Sequence, residues 1–376
     1  MNNSIDADQD WLERATHAVK GNRLIWVPGL VVLVVIAVFV FQKLNATTDP
    51  LETGPTVTGH PLSNPDQHLH TLAIDPLHPG TVYLGSHYGL FVSMDDGKSW
   101  PQAHGSMDRL MITSLSSSLT ESGGVGMIGS APSGGDFGQN GIYFSHDHGT
   151  TWTRAKDPAG AATGLNRYIV VASPNAPKSW LAIYVGVGLY ATDDDGQTWR
   201  LLRAPASSQD TQRALWVSKT HPHDIFLGSN LGLSVSHDDG AHWSTVPSVA
   251  SGVFNITASA ANADTLYLAT DAGIYRSTDD GANFVLVSSP VDQSPFNRIA
   301  ASTQHPNVVY GLVGQGVWLS TDSGVNWTQQ ATLSTSQPMS LIVAPNDDQH
   351  VYVGFYSPAV AAASTDGGKS WNIIAQ

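Results

Sequence analysis

The chain has 376 residues, a formal net charge of −14 from 17 Lys+Arg against 31 Asp+Glu, and no cysteine. Disulfides, thiolate metal sites, iron–sulfur clusters and a cysteine nucleophile are therefore excluded, and the negative charge argues against a dedicated nucleic-acid binder, which needs Lys and Arg to displace phosphate counterions. Few charged residues (13%) with 36 Gly, 21 Pro and 11 Trp describe many short strands joined by tight turns, in a chain long enough to bury a large core.

Residues 1–23 are mixed in charge and read as a cytoplasmic N-terminal segment. Residues 24–41, LIWVPGLVVLVVIAVFVF, carry no charge; as a helix rising ~1.5 Å per residue they span roughly 27 Å, close to a bilayer's hydrocarbon core. Pro28 falls in the first turn, where its missing N–H costs little, and Trp26 sits at the interface. A cleaved signal peptide competes with this reading, but the preceding stretch is long for one and so is the apolar run. Arg14, Lys20 and Arg23 precede the segment and only Lys43 follows closely. The positive-inside rule then predicts a single transmembrane helix over 24–44 in the inner membrane, with the rest of the chain extracytoplasmic or periplasmic. Residues 45–67, with Pro50, Pro55, Pro61 and Pro65, read as a linker.

From residue 68 one octapeptide recurs: SMDDGKSW, SHDHGTTW, TDDDGQTW, SHDDGAHW, STDDGANF, STDSGVNW and STDGGKSW. Its third positions are Asp95, Asp147, Asp194, Asp238, Asp279, Asp322 and Asp366, spaced by 52, 47, 44, 41, 43 and 44 residues. A period in the forties marks propeller blades, each a four-stranded antiparallel sheet. Short runs rich in Val, Ile, Leu and Tyr, punctuated by Gly, Pro and Asp, supply the strands, as in LHTLAID, TVYLGS and GLFVSMD of the first repeat. The sequence thus predicts an all-β chain with one seven-bladed β-propeller over 68–376, its blades near 68–104, 107–155, 165–204, 212–248, 254–289, 296–331 and 338–376. The third strand of blade seven is the weakest, with Ala361-Ala362-Ala363 where the other blades carry an aromatic.

The octapeptide is the Asp-box, or BNR repeat. Over residues 68–376 the chain resembles the propellers of bacterial sialidases, the sortilin ectodomain, oligoxyloglucan-type hydrolases and the photosystem II assembly factor of cyanobacteria and plastids. Its opening, His68 to Asp75 followed by Ser86 to Phe91, is similar to bacterial glycosyl-hydrolase-like BNR proteins. Each box is expected to be the hairpin between third and outermost strands: Asp accepting bonds from its own turn, Gly supplying positive φ, the aromatic packing between blades. Calcium binding at Asp193-Asp194-Asp195-Gly196 is the alternative, but the further ligands and the Glu of an EF-hand loop are missing.

The box hairpins should occupy one face, with the outer-to-inner and second-to-third loops on the other. On that second face His68, His70 and His87 converge, either as a metal site for Zn or Cu or as a polar cluster. Arg109, Arg167, Arg213 and Arg298 open four inner strands at nearly equivalent positions. They either ring the channel mouth as an anion or partner site, or pair with carboxylates and carbonyls of their own blades. Residues 121–140 read as a long second-to-third-strand insertion over the same face, a docking loop with Asp136 and Phe137 near its tip. Its GxGxxG (Gly124 to Gly129) is followed by no helix and does not signal a dinucleotide.

A sialidase resemblance implies an arginine triad, a tyrosine nucleophile with a Glu partner, and an acid Asp. Only Glu121 is available within the propeller, without an evident Tyr, and the spacing of Asp108, Asp136 and Asp292 recommends no carboxylate pair. No cofactor is implied. The reading is a membrane-anchored, non-catalytic interaction platform. It would be an accessory or assembly subunit meeting the extracytoplasmic side of an integral membrane complex, photosynthetic or respiratory. A glycoside hydrolase or carbohydrate-binding propeller is the alternative.

Overall fold

A computed structural model describes residues 49–50, 62, 67–101, 107, 110–131, 140–158, 167–259, 265–291, 294–302, 304–334, 336–345 and 347–376. The apolar segment 24–41, Asp108, Arg109, Asp136, Phe137 and Asp292 lie outside them. Among the described residues no helix is long and apolar enough to cross a membrane.

Every regular element among the described residues is a strand. In the linker, β1 (Asp49–Pro50) pairs antiparallel with the outer edge of β8 (Thr151–Arg154). Seven antiparallel sheets then follow in chain order. Their inner strands are β2 (Leu69–Ile74), β5 (Met111–Ser117), β9 (Arg167–Ala172), β13 (Gln212–Val217), β17 (Val253–Ala258), β21 (Arg298–Ala301) and β25 (Pro338–Ala344). Blades two to seven have four strands each; in blade one, beyond β3 (Val82–Ser86) and β4 (Gly89–Ser93), Trp100-Pro101 takes the fourth position, with the Val92 amide donating to Pro101 O at 3.2 Å. The third strand of blade seven, Val360–Ser364, forms in full despite its alanines.

Burial follows a strand's place in the blade. Second strands such as VYLGS, WLAIY and IFLGS are buried at every residue because blades cover both faces; outer strands such as Val285–Ser288 are largely exposed. The apolar core is a ring of blade interfaces. One cluster joins blades one and two around Tyr83, Met127 and Trp152, the next joins two and three around Phe144 and Trp180, and so on around the disc. The ring closes without strand exchange. Trp100 packs against Tyr352, Ala361 and Ala363 of blade seven and donates its indole N–H to Ile374 O at 2.9 Å; the Leu69 amide reaches Tyr356 O at 3.2 Å. Small alanines in blade seven leave the room that this indole fills.

Candidate functional site

Six of the seven inner strands carry a register shift near their start, each leaving one extra residue: His70, Thr113, Tyr168, Arg213, Phe254 and Met339. A bulge leaves its extra residue outside the ladder and re-aims the side chain. His70, Thr113, Arg213, Phe254 and Met339 all line a cavity of about 430 Å³ at this end of the central channel, joined by Arg298 from the unshifted sixth strand.

The arginines do not occupy one repeat position. Arg213 is a bulge residue, whereas Arg298 and Arg167 are the first residues of β21 and β9. Each of the two arginines whose side chains are described also ties its blade to the next. Arg213 Nε donates to Val253 O at 3.2 Å, its guanidinium lies 4.4 Å from the Phe254 ring centroid, and one Nη is 3.9 Å from Asp271. Arg298 Nε donates to Met339 O at 3.1 Å, and its Nη1 to Asn297 O at 2.9 Å. The two readings of the arginines therefore coexist: both tie neighbouring blades together and both line the cavity.

His68, His70 and His87 come together at the seam between blades one and seven, with ligand nitrogens all within 4.8 Å of one another. They do not meet by simple strand alternation: His68 precedes β2, and His70 is its bulge residue. The Tyr356 ring stacks on His68 at 4.5 Å, and the His87 amide donates to His68 O at 2.9 Å. Burial, reinforced by the neighbouring His87 and His68, lowers the His70 pKa to about 4, so its imidazole is neutral at physiological pH.

Farther along the channel a second cavity of about 510 Å³ is lined mainly by Trp216, Ile256, Ile299, Leu341 and Val343, with Lys219 at its rim. Desolvation by the surrounding wall holds the Lys219 ammonium below its ordinary pKa.

The opposite face is built from the boxes. Asp95 Oδ1 accepts from Ser93 Oγ (2.8 Å) and the Ser99 amide (2.9 Å), while Oδ2 accepts from Ser99 Oγ (2.7 Å). The same three bonds recur at Asp147, Asp194, Asp238, Asp279, Asp322 and Asp366. The carboxylates are thus committed to their own turns. Two features went unread in the sequence. Position seven always donates to Oδ2, a signal present in Ser99, Thr151, Thr198, His242, Asn283, Asn326 and Ser370. Position four is left-handed in every box, with φ of 53–64° at Asp96, His148, Asp195, Asp239, Asp280 and Ser323 and 73° at Gly367. Asp and His tolerate that conformation better than most residues.

Glu121 belongs to this face. It lies between β5 and β6 (Val125–Ser130), so the expected insertion 121–140 is divided, and its GxGxxG is largely the buried strand β6 itself. Only 131–140 joins the second strand of the blade to the third. Glu121 Oε2 and Asp195 Oδ2 flank the imidazole of His146 at 2.6 and 2.9 Å, and Asp195 Oδ1 accepts the Trp180 indole N–H at 3.1 Å. The one propeller glutamate is engaged across a blade interface, on the face away from the arginines, where it cannot join them in a sialidase-like arrangement.

A family model for the BNR/Asp-box repeat matches residues 143–154. The same octapeptide pattern occurs once in each of the seven blades. Residues 69–376 form a seven-bladed propeller that carries Asp-box hairpins. Among solved structures the propeller is similar to the GH74 xyloglucanase from Xanthomonas campestris, with TM-score 0.65 and 15% identity over 88% of this chain and 56% of that one. The chain thus spans little more than half that enzyme's length. It is also similar to YCF48 bound to a D1 peptide (TM-score 0.59, 18% identity, 84% of this chain and 95% of that one). A third is YCF48 from Cyanidioschyzon merolae (TM-score 0.61, 12% identity, 84% and 98%). No curated protein sequence matches the chain significantly. At these identities the likeness is one of fold.

Proposed function

We propose that this propeller is a non-catalytic protein-interaction platform, anchored by residues 24–41 with its disc on the extracytoplasmic side and serving an integral membrane complex as an accessory or assembly subunit. The observation that carries the reading is the cavity at the channel mouth, whose titratable lining residues are His70, Arg213 and Arg298, with no carboxylate among the lining residues described. In a chain of net charge −14 such a cationic cup selects an acidic segment or a terminal carboxylate of a partner. YCF48, a propeller of similar fold, has been captured with a D1 peptide, which supports peptide recognition by this architecture. The run of Arg14, Lys20 and Arg23 before the apolar segment supports the orientation.

Gentle-detergent solubilisation of native membranes, followed by native-gel migration and mass spectrometry, is the test. The propeller is expected to co-migrate with a large complex. The Arg213→Gln/Arg298→Gln double variant, shown by thermal melting to be folded, is expected to bind at least ~10-fold more weakly, since each charged hydrogen bond contributes about 1.5–3 kcal/mol. Migration as a lone monomer, or turnover of an aryl-glycoside or sialoside by the chain, overturns the reading.

A further inference from the structure

We propose that His68, His70 and His87 form a binding site for one late-transition-metal dication, Zn²⁺ foremost, with its remaining coordination position open to the channel. The inference stands apart from the platform reading, because it rests on a different set of side chains and is tested with the metal alone.

Two nitrogens carry the argument. His68 Nδ1 and His70 Nε2 are buried and make no hydrogen bond. A buried polar atom left without a partner costs about 1–3 kcal/mol, and a folded chain rarely leaves two side by side. Most histidines elsewhere in the described chain lie against carboxylates, as His146, His237 and His305 do, and His78 meets the Ser122 hydroxyl. The seam cluster instead places three imidazoles together, with ring centroids 5.4–6.4 Å apart. One ion satisfies both orphaned lone pairs at once. Tetrahedral Zn²⁺ with bonds of ~2.0–2.1 Å needs its nitrogens roughly 3.3 Å apart, so ligand atoms already within 4.8 Å of each other close on it with shifts of less than about 1 Å.

The surroundings hold the rings for that task. Tyr356 stacks on His68 and stands edge-on to His70 at 5.5 Å, and Tyr88 lies 4.7 Å from His87. The backbone bond from His87 to His68 O joins the two segments that supply the ligands. Aromatic packing of this kind fixes ring orientation as outer-shell groups do in built metal sites. Three imidazole nitrogens and no thiolate suit Zn²⁺, with Co²⁺, Ni²⁺ and Cu²⁺ as competitors. Because His70 also lines the 430 Å³ cavity, the open position meets water or a carboxylate-bearing ligand entering from the channel.

The test uses the tag-free, full-length chain in mild detergent, stripped with a chelator. Calorimetric titration with Zn²⁺ and metal analysis after dialysis are expected to give one ion per chain. Co²⁺ is expected to give the intense visible bands of a tetrahedral, nitrogen-ligated ion. His70→Ala and His87→Gln should each weaken Zn²⁺ binding at least ~100-fold, beyond the 10–100-fold typical of losing an outer-shell group. Stoichiometry unchanged in both variants places the ion elsewhere and overturns the assignment, as does failure of the wild type to bind. Should a variant not fold, the wild-type Co²⁺ spectrum decides alone: the weak bands of an octahedral, oxygen-ligated ion sink the proposal.

Discussion

Asp238 is exposed and Asp366 half-buried, yet both carboxyl groups have pKa values lowered to about 2. At Asp238 the bond from the His242 amide is the leading cause, and at Asp366 the bond from Ser370 Oγ. These carboxylates work by gathering three bonds from positions one and seven around one charge, which is why polar position seven matters as much as the Asp. His146 shows the reverse shift, its pKa raised to about 9 chiefly by its bond to Asp195 and opposed by partial burial. A raised folded-state pKa stabilises below the unfolded value near 6.5, and that contribution is lost as pH rises through about 9. His146→Gln is therefore expected to destabilise the propeller by about 1–2 kcal/mol at pH 6, measured by urea unfolding. The difference from wild type should shrink by pH 9.5; a constant difference would show that packing alone matters at this position.

Blades are held to one another by reaching elements rather than by shared strands. Box tryptophans extend backwards: Trp243 donates to Leu202 O at 3.1 Å, Trp199 to Lys156 O at 2.7 Å, and Trp100 completes the circle at Ile374 O. Trp100 is 1% exposed, whereas Trp371 is only partly buried. Trp100→Ala is expected to cost about 3–5 kcal/mol in urea unfolding and Trp371→Ala distinctly less. Equal costs would mean that the closing seam is no more dependent on its indole than any other blade. Glycine in the second strand sets how closely blades approach. A Cβ at Gly354 would stand 2.5 Å from Leu69 Cδ2, inside the same seam, so Gly354→Ala should lose about 1–3 kcal/mol by overpacking.

For the whole molecule, seven acid-sensitive hairpins on one face make a shared liability. Carboxyl groups with depressed pKa values stabilise above their unfolded value of 3.8, and they surrender that stability as pH falls through the folded values. Unfolding on acidification should be steep between about pH 4 and pH 2 when followed by tryptophan fluorescence. Replacing Asp238 and Asp366 by Asn should flatten the profile while lowering stability at pH 7; an unaltered slope would locate the acid sensitivity elsewhere. On the opposite face no such carboxylate set was found among the lining residues described, and the channel mouth presents His70, Arg213 and Arg298 instead. The disc is thus polarised, with carboxylates committed to the turns of one side and arginines lining the cavity of the other.

The repeat was legible in the chain because each blade must solve the same local problem: reversing direction in a hairpin whose Asp, Gly and aromatic have fixed jobs. Seven copies at a steady period determined the strand order and the blade count, and the indispensable residues sat at invariant offsets. Arg213, Arg298, His68, His70 and His87 could be named as candidates from residue type and loop position. Their relation to one another could not, since a bulge near the start of six of the seven inner strands, visible only in the pairing register, re-aims side chains toward the channel. Thr113, Phe254 and Met339 reach the cavity by that device and carry no signal in the sequence. Nor did Glu121 reveal that it serves a blade interface, because its partner His146 lies 25 residues away along the chain and Asp195, on the other nitrogen of that ring, a further 49. Local chemistry determined the blades; the closure of the ring decided which residues meet.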